Sequence, residues 1–382
     1  MKRVLVTAGC VYGSLDDNKI VGNRIRGIWA SRFAQFLAEK DYEVTLLVPD
    51  INTPKYEPYP RLTVVQFRGY NDYAEKCYAA ALSHDAAIMA AAVVNWIPAE
   101  PIKGKMKTEG FEEGAIQNIP FVLAPRVIDR MRKLNPKLTL IGCKMTSGAE
   151  KSETLKAAYY TLLKAHCNVV VANDLSGLKE KTLVYPDGHT RHFEGDFEAM
   201  YSDLESLLAD EFYRTEPKVT GFVEASDADV EAARKRFDAV VEKYRARFTK
   251  RPDGANGVDR VFGSVAVLID DWRVLVSPRE KGVMFSSKDA VVVESIDRPY
   301  RVVYTQRGEK ATLNAPLLCA VLGTFNASAV LHLHEENARW PTYPYAPSGS
   351  VRDNDRTFTR AVFNIAGHGF VAALDNQNEF FP

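Results

Sequence analysis

The sequence predicts an α/β protein built from a doubly wound parallel sheet and a second α/β domain with a mostly antiparallel sheet. Three observations carry this. Short apolar runs alternate with amphipathic helical stretches over about the first 170 residues, the signature of βαβ units. After Arg214-Thr215-Glu216-Pro217-Lys218, which reads as a linker, the pattern changes to one long capped helix and short alternating strands. At 382 residues the chain is long enough for two substantial cores.

Val4-Leu5-Val6-Thr7 is a β-branched apolar run that closes at Ala8-Gly9. A polar loop follows from Cys10 to Arg26, carrying Asp16, Lys19 and Asn23 and ending at Gly27. Next come an amphipathic helix, with Ile28, Phe33, Phe36 and Leu37 on its apolar side, and a second strand, Val44-Thr45-Leu46-Leu47-Val48. Strand, glycine turn, helix and strand make a parallel unit that places the loop at the carboxyl edge of a Rossmann-like sheet, where open α/β sheets bind ligands. The loop is too long for a dinucleotide fingerprint and lacks G-x-G-x-x-G. A nucleotide site of a different kind is expected, centred on Asn23.

Leu62 to Phe67 reads as a strand and Asn71 to His84 as a helix. Asp85 to Val93 is continuously apolar enough for one buried strand, and a lysine-bearing segment follows with Lys103, Lys105 and Lys107. Arg126 to Leu134 is helical, Leu138 to Gly142 a strand, Glu150 to His166 a helix, and Val169 to Ala172 a strand running into Asn173-Asp174. Pro186-Asp187-Gly188 is a turn signal between Thr182–Tyr185 and Arg191–Phe193, so a hairpin is expected there, with a helix over Phe197–Tyr213. Beyond the linker, Ser226 caps a helix over Asp227–Phe248, with Asp229 in the capping-box position. Strands are expected at Val261–Ile269, Arg273–Val276, Ala290–Val293, Val302–Tyr304, Ala329–His334 and Gly369–Leu374, with helices at Ala315–Gly323 and Asp355–Phe363.

Lysine plus arginine and aspartate plus glutamate number 49 each, so no net charge favours nucleic acid or an anionic membrane as a partner. The five cysteines, scattered and never in C-x-x-C spacing, fit reduced thiols. With no apolar run near the length of a spanning helix and no secretory segment, a cytoplasmic protein is expected.

Four stretches would converge at the carboxyl edge: Thr7–Gly27, Ala90–Lys107, Ala124-Pro125-Arg126 and Ala172-Asn173-Asp174. Lysines on such a segment suit a triphosphate, each supplying a charge-assisted hydrogen bond. As an ordered set these residues resemble the phosphopantothenoylcysteine synthetase family over about residues 3 to 195. The family's V-T-A-G, I-D, I-S-N and V-T-L-V stand here as Val6-Thr7-Ala8-Gly9, Leu15-Asp16, Val21-Gly22-Asn23 and Val44-Thr45-Leu46-Leu47. Its A-A-V-x-D, K-I-K and I-V-A-N-D stand as Ala91-Ala92-Val93-Val94-Asn95, Lys105-Met106-Lys107 and Val170-Val171-Ala172-Asn173-Asp174.

The resemblance implies that a carboxylate is activated by CTP or ATP with Mg2+ as an acyl-nucleotidylate and joined to an amine such as cysteine. It implies catalytic roles for Asn23, which would hold the acyl-nucleotidylate, for Lys19, in place of the family's arginine, and for Lys105, which would neutralise the triphosphate. It places Gly9, Asp16, Gly27, Ala91, Ala92, Asn95, Lys107, Pro125, Arg126, Cys143, Lys164, Asn173 and Asp174 around the nucleotide. The departures point to a different substrate. The family's S-S-G is Ile25-Arg26-Gly27, its aspartate is Asn95, and its G-F-A-A-E-T is Gly142-Cys143-Lys144-Met145-Thr146-Ser147. Arg24, Arg26 and Lys144 suggest an anionic acid.

In the second half, His332-Leu333-His334 lies on a strand, so both imidazoles face one way and can share a metal, and His368 precedes another strand. Three histidines with an open fourth position are how a catalytic zinc is held. Together with Gly263-Ser264-Val265-Ala266-Val267, Ser277-Pro278-Arg279, Tyr345-Ala346-Pro347-Ser348-Gly349-Ser350 and His368-Gly369, they resemble the class II aldolase/adducin family over about 220 to 382. That resemblance implies Zn2+ or another divalent metal on His332, His334 and His368. The family's S-S-E is Leu313-Asn314-Ala315, so its general-base acid is missing; Glu335 or Glu336 could substitute, although strand alternation points Glu335 away.

The expectation is thus a phosphopantothenoylcysteine synthetase-like ligase domain at 1–214 and a class II aldolase-like metal domain at 219–382 acting on the same metabolite. The partners would be a small-molecule carboxylate, anionic or phosphorylated, and an amine, in a homo-oligomer (dimer or tetramer). The alternatives are a metal-dependent aldolase, epimerase or dehydratase with an accessory nucleotide-binding domain, and a non-catalytic binding or assembly protein.

Overall fold

The computed structural model describes residues 1–218, 226–251 and 259–374. The chain forms two compact units: Met1–Ser147 with Thr161–Lys181 and Phe193–Glu205, and Gly148–Tyr160 with Thr182–His192 and Ser206–Pro382. The expected start of the second domain at 219 falls outside the described residues.

The first unit contains β1 (Arg3–Thr7), α1 (Ile28–Glu39), β2 (Glu43–Pro49), β3 (Leu62–Phe67), α2 (Gly69–Ser83), β4 (Ala86–Met89), α3 (Val127–Leu134), β5 (Thr139–Thr146) and β6 (Val169–Asp174). These strands run in the order β6-β5-β4-β1-β2-β3, every pair parallel. This is the Rossmann order, and it reverses between β1 and β4, where neighbouring connections leave in opposite directions and open a crevice at the carboxyl ends. Val4, Val6, Leu46, Ile88, Phe33 and Leu37 are fully buried in the core.

Three local expectations change. The strand expected to run through Val93 ends at Met89, because Ala91 N–H donates to Thr7 Oγ1 (3.1 Å) and Ala92 N–H to Gly9 O (2.8 Å). Ala92–Val93 pair instead with Cys10–Val11, inside the stretch expected as plain loop. Ile28, placed on the apolar side of α1, is 51% exposed; the buried side is Ala30, Ser31, Phe33, Ala34, Leu37 and Ala38. α1 begins only at Ile28, directly behind Gly27 at φ 74°, and the Ile28 side chain lines an open cavity.

The expected hairpin is present as β7 (Glu180–Val184) and β8 (Thr190–Glu194). Tyr185 N–H donates to His189 O (3.0 Å), His189 N–H donates to Asp187 Oδ1 (2.9 Å), and Gly188 takes φ 84°. Residues 182–192 cluster with the second unit.

That unit contains β9 (Arg214–Pro217), α6 (Asp227–Tyr244), β10 (Ser264–Leu268), β11 (Val274–Val276), β12 (Val291–Asp297), β13 (Val302–Thr305), α7 (Ala315–Phe325), β14 (Ala329–Leu333), β15 (Thr342–Tyr343), α8 (Val351–Asn354), β16 (Val362–Ile365) and β17 (Gly369–Leu374); α5 (Glu198–Ala209) and α4 (Lys151–Ala165) complete the helices of the described chain. Its nine-stranded sheet has the order β9-β13-β12-β11-β10-β14-β17-β16-β15. All neighbours are antiparallel except the two edge pairs. Both faces are covered. Val265 and Val267 pack with Phe237 and Val241 of α6, while Ala266 packs with Leu317, Leu318 and Val321 of α7. Alternation along β10 therefore feeds two cores.

The residues read as a linker are β9, an edge strand where Pro217 costs no ladder bond on its outer side. The helix expected at Asp355–Phe363 is absent. Ser350 caps a single turn earlier, accepting from Asp353 N–H (3.2 Å), and the turn closes where Leu317 N–H donates to Asn354 Oδ1 (3.0 Å). Val362–Ile365 then pair antiparallel with β17 as a hairpin inside the nine-stranded sheet, and this pairing overrides the helical pattern.

Candidate functional sites

In the first unit the carboxyl edge is tied together by backbone. A Cβ on Gly27 would lie 2.2 Å from Gly9 N, so the end of β1 and the start of α1 touch at two glycines. Asn23 Nδ2 donates to Ala92 O and Val93 O (3.1 Å each). Two carbonyl acceptors fix the amide's orientation and use both of its N–H groups, leaving Oδ1, an acceptor, as the side chain's remaining polar atom. Asp16 is buried and accepts from Asn18 N–H (2.7 Å), Lys19 N–H, Met106 N–H (2.8 Å) and Lys19 Nζ (3.2 Å). Met106 N–H foremost, with the others, holds its carboxyl well below the usual range. With Ile102 N–H to Leu15 O (2.9 Å) and Gly104 N–H to Asp17 Oδ2 (3.1 Å), these bonds lace the lysine-bearing segment onto the loop. Lys19 and Lys105 are thereby carried on joined segments, while Lys105 and Lys107 remain exposed.

The other edge residues follow from strand ends. Asn95 O accepts from Ala124 N–H (2.8 Å), Pro125 O accepts from Tyr70 OH, and Arg126 pairs with Asp129 (3.3 Å). Asn173 and Asp174 pair with Met145 and Thr146, and Asp174 accepts from Thr146 Oγ1 (2.7 Å) and Ser176 N–H (2.9 Å). The Cys143 thiol is pushed up to about 12 by burial. Lys164 is the exception. It lies in the last turn of α4, which starts after the carboxyl end of β5 and returns to the amino end of β6, so it sits on the opposite edge, about 20 Å away by strand length. Its expected place beside the nucleotide is corrected: helix direction, not sequence order, decides the edge.

A cavity of ≈ 730 Å³ opens beside Asn23. Arg24, Arg26, Arg32 and Lys55 line it with Cys10, Ile28 and Thr53, and no acid does. Among the described residues these four cations have no ion-pair partner. Arg32 and the Ile51–Lys55 turn had no motif to mark them. Their position just beyond the start of α1 and the carboxyl end of β2 was the available signal.

In the second unit, β14 carries His332, and His334 follows immediately. Their rings lie 4.9 Å apart, and that of His368 lies 4.8 and 5.0 Å from them. One nitrogen from each can be chosen so that all three fall within 4.8 Å of one another. Gly369, at φ 115°, permits this, since a Cβ there would meet Leu333 O at 2.1 Å. All three imidazoles are held in the neutral form that a metal requires. Burial puts His332 and His334 well below their ordinary value, and burial followed by Arg356 lowers His368 to about 3. His368 Nδ1 and Asn314 Oδ1 are buried without hydrogen-bond partners, a deficit that a cation on the imidazole nitrogens would relieve on the histidine side. The residues present fit a divalent metal.

Around the histidines, Asn314 meets His332 Nδ1 (3.0 Å), Phe262 stacks on His334 (4.7 Å), and Ser348 Oγ meets His368 Nε2 (2.9 Å). Asp187 of the hairpin lies 3.9 Å from His368 Nε2. Glu335 pairs with Arg247, and Glu336 accepts from Gly367 N–H (2.6 Å), so both candidate substitutes for the missing acid are engaged elsewhere. Ser264 Oγ bonds Thr312 Oγ1 (2.8 Å).

The first unit is thus an α/β domain with a Rossmann-ordered sheet and a cationic cavity beside the segments that follow β1 and β2. Over residues 1–192 the chain matches the model for the C-terminal domain of DNA/pantothenate metabolism flavoproteins, and it belongs to that family. It is similar to the coenzyme A biosynthesis bifunctional protein CoaBC of Thermococcus kodakarensis, 26% identical over 187 residues, covering 48% of this chain and 44% of that protein. With CoaBC of Mycolicibacterium smegmatis it shares 24% identity over 228 residues, 59% of this chain and 54% of the other. The chain thus spans about half the length of the curated relatives it matches. Among solved structures, the DNA/pantothenate metabolism flavoprotein of Streptococcus pneumoniae superposes on 55% of this chain and 99% of its own (18% identity, TM-score 0.49). YgbL of Klebsiella pneumoniae, a candidate aldolase/epimerase/decarboxylase, does so on 38% of this chain and 79% of its own (15% identity, TM-score 0.28). The five cysteines are free thiols, and no helix among the described residues is long and apolar enough to cross a membrane.

Proposed function

We propose that the chain is a CTP- or ATP-dependent acid–amine ligase with a second, metal-dependent site. The observation that carries this reading is the convergence, in a chain of this family, of the Gly9–Gly27 loop, the Ala91–Asn95 segment and the lysine strip at the switch-point edge. The acid's carboxylate oxygen attacks the α-phosphorus of a Mg2+-bound triphosphate, and pyrophosphate leaves. The amine nitrogen then attacks the acyl carbon, loses its proton, and the nucleoside monophosphate departs. This chemistry needs positioning and charge neutralisation more than a nucleophilic side chain. Lys19 and Lys105 supply the positive charge. Asn23, held by two carbonyls, presents Oδ1 to an N–H or O–H of the acyl-nucleotidylate or of the incoming amine.

The unpaired cations of the ≈ 730 Å³ cavity favour an anionic, phosphorylated acid, with cysteine or a similar amine as the second substrate. Ligation belongs to residues 1–214 and metal chemistry to 219–382, in a cytoplasmic homo-oligomer, dimer or tetramer. Pyrophosphate release with CTP or ATP and a panel of phosphorylated acids tests the reading. Release that is absent with every acid, or unchanged in Asn23→Ala, overturns it.

A second reading, a metal-dependent aldolase, epimerase or dehydratase, is favoured by the three-histidine cluster, two of whose members are buried and one half-buried. Zn2+ bound there would polarise a substrate carbonyl and stabilise an enediolate. The chain's own contribution is to keep three imidazoles neutral, dry and convergent. Metal analysis of the isolated protein tests it, and no zinc, cobalt or manganese at stoichiometric level excludes it.

A further inference from the structure

One acid that approaches the three histidines, 3.9 Å from His368 Nε2, is not on their own strands. Asp187 sits at the tip of the β7–β8 hairpin, within the 1–192 stretch that matches the family model, whereas His332, His334 and His368 lie outside that stretch. Its side chain is fully enclosed. Oδ2 accepts from Ser348 Oγ (3.1 Å) and Tyr345 OH (3.2 Å), and Oδ1 accepts from His189 N–H. The rings of its two neighbours His189 and Tyr345 lie 4.2 Å apart.

We propose that Asp187, acting through Ser348, is the positioning carboxylate of the histidine cluster: it sets the tautomer of His368 so that Nδ1 carries the free lone pair for a divalent cation. The logic is one of counting hydrogens. A serine hydroxyl has a single hydrogen, and the carboxylate, being an acceptor, takes it. Towards His368 the same hydroxyl then acts as an acceptor, so Nε2 must carry the imidazole hydrogen (2.9 Å). That leaves Nδ1 deprotonated, and Nδ1 is the buried nitrogen without a partner. Carboxylate, hydroxyl and imidazole form a relay of orientation that ends on a ligand atom, the arrangement by which outer-shell groups fix metal-bound histidines. The proposal rests on the metal reading of this site, and it ties a turn in the family-matched stretch to the assembly of the second site.

The test compares the full chain with its Asp187→Asn, Asp187→Glu and Ser348→Ala variants, each checked for folding by thermal unfolding. Two measurements are made. In metal-free protein, long-range 1H–15N correlation of His368 reads the tautomer. In parallel, competition with a chromophoric chelator reads Zn2+ and Co2+ affinity. Wild type is expected to show Nε2–H. Asp187→Asn puts a donor where the acceptor was, so the serine turns its hydrogen to His368 and the tautomer shifts to Nδ1–H. Metal affinity should fall about 10- to 100-fold in the Asn and Ala variants and recover in Asp187→Glu. Wild type that binds metal with a tautomer and affinity unmoved by either variant overturns the proposal and leaves the metal reading standing. Wild type that binds neither cation, yet shows Nε2–H dependent on Asp187, removes the metal reading while upholding the carboxylate's control of His368. A misfolded Asp187→Asn still leaves Ser348→Ala to decide, because that variant breaks the same relay without burying an unpaired amide.

Discussion

The two sites handle charge in opposite ways. The crevice of the first unit is built from loops and leaves Arg24, Arg26, Arg32 and Lys55 exposed, with no acidic neighbour lining the cavity. The histidine cluster is built on strand ends and buries its polar groups until every imidazole is neutral. Acids elsewhere in the two units differ in the same sense. Asp16 is held charged by backbone N–H donors, whereas burial pushes Asp353 up to about 7. A cationic, wet crevice suits a polyanion that must enter, react and leave, because exposed charges cost little to keep unpaired. A dry, neutral cage suits one small cation held for long periods, since low dielectric strengthens whatever charge it admits.

That contrast is sharpest under substitution. His332→Ala should abolish stoichiometric metal, a loss larger than the about 10- to 100-fold expected for an outer-shell change, and leave nucleotide binding intact; metal analysis and calorimetry on the same sample check both. Loss of nucleotide binding as well would erase the independence of the sites. Arg24→Ala with Arg26→Ala should weaken a phosphorylated acid by about 10- to 100-fold through lost charge-assisted hydrogen bonds, with metal content unchanged, as read by titration calorimetry.

Backbone substitutions should be smaller and equally selective. Gly27→Ala forces a Cβ to 2.2 Å from Gly9 N at a positive φ, and should cost roughly 1–3 kcal/mol. Chemical denaturation checks the cost, and nucleotide binding should suffer before metal binding does. The effects of pH are the most graded, and their signs are opposed. Asp16 has a folded pKa below its unfolded value, so its contribution is complete above about pH 4 and is lost as pH falls through the folded value. Exchange protection of the Lys19 and Met106 amides should therefore drop on acidification in wild type and be insensitive to it in Asp16→Asn. Asp353, raised from 3.8 to about 7, contributes stability that is present below its unfolded value and lost as pH rises towards 7. Asp353→Asn should gain roughly 1–3 kcal/mol over wild type at pH 8, an advantage that shrinks as pH falls and vanishes below about pH 4, measured by urea midpoints.

Periodicity and turn chemistry determined much of this protein without coordinates. Apolar runs of strand length alternating with helices dictate the parallel sheet, because only parallel strands need crossover helices. The H-x-H pair on one strand dictates that two imidazoles share a face, because side chains alternate with period two. The order of motifs placed Asn23, Asp16 and Lys105 near one edge. What the chain's order could not convey was decided by tertiary contact. The strand through Val93 is cut because Thr7 and Gly9, far away in sequence, capture two of its amides. Asp355–Phe363 is not a helix because β17 offers Val362–Ile365 a ladder. Lys164 is on the wrong edge because α4 runs back across the sheet. Asp187 reads in sequence as a turn residue like any other, and only folding brings its carboxylate 3.9 Å from a histidine 181 positions further on. Local sequence sets dihedrals and faces, over a few residues; which faces and ends meet is a balance of burial and hydrogen bonding summed over the whole chain.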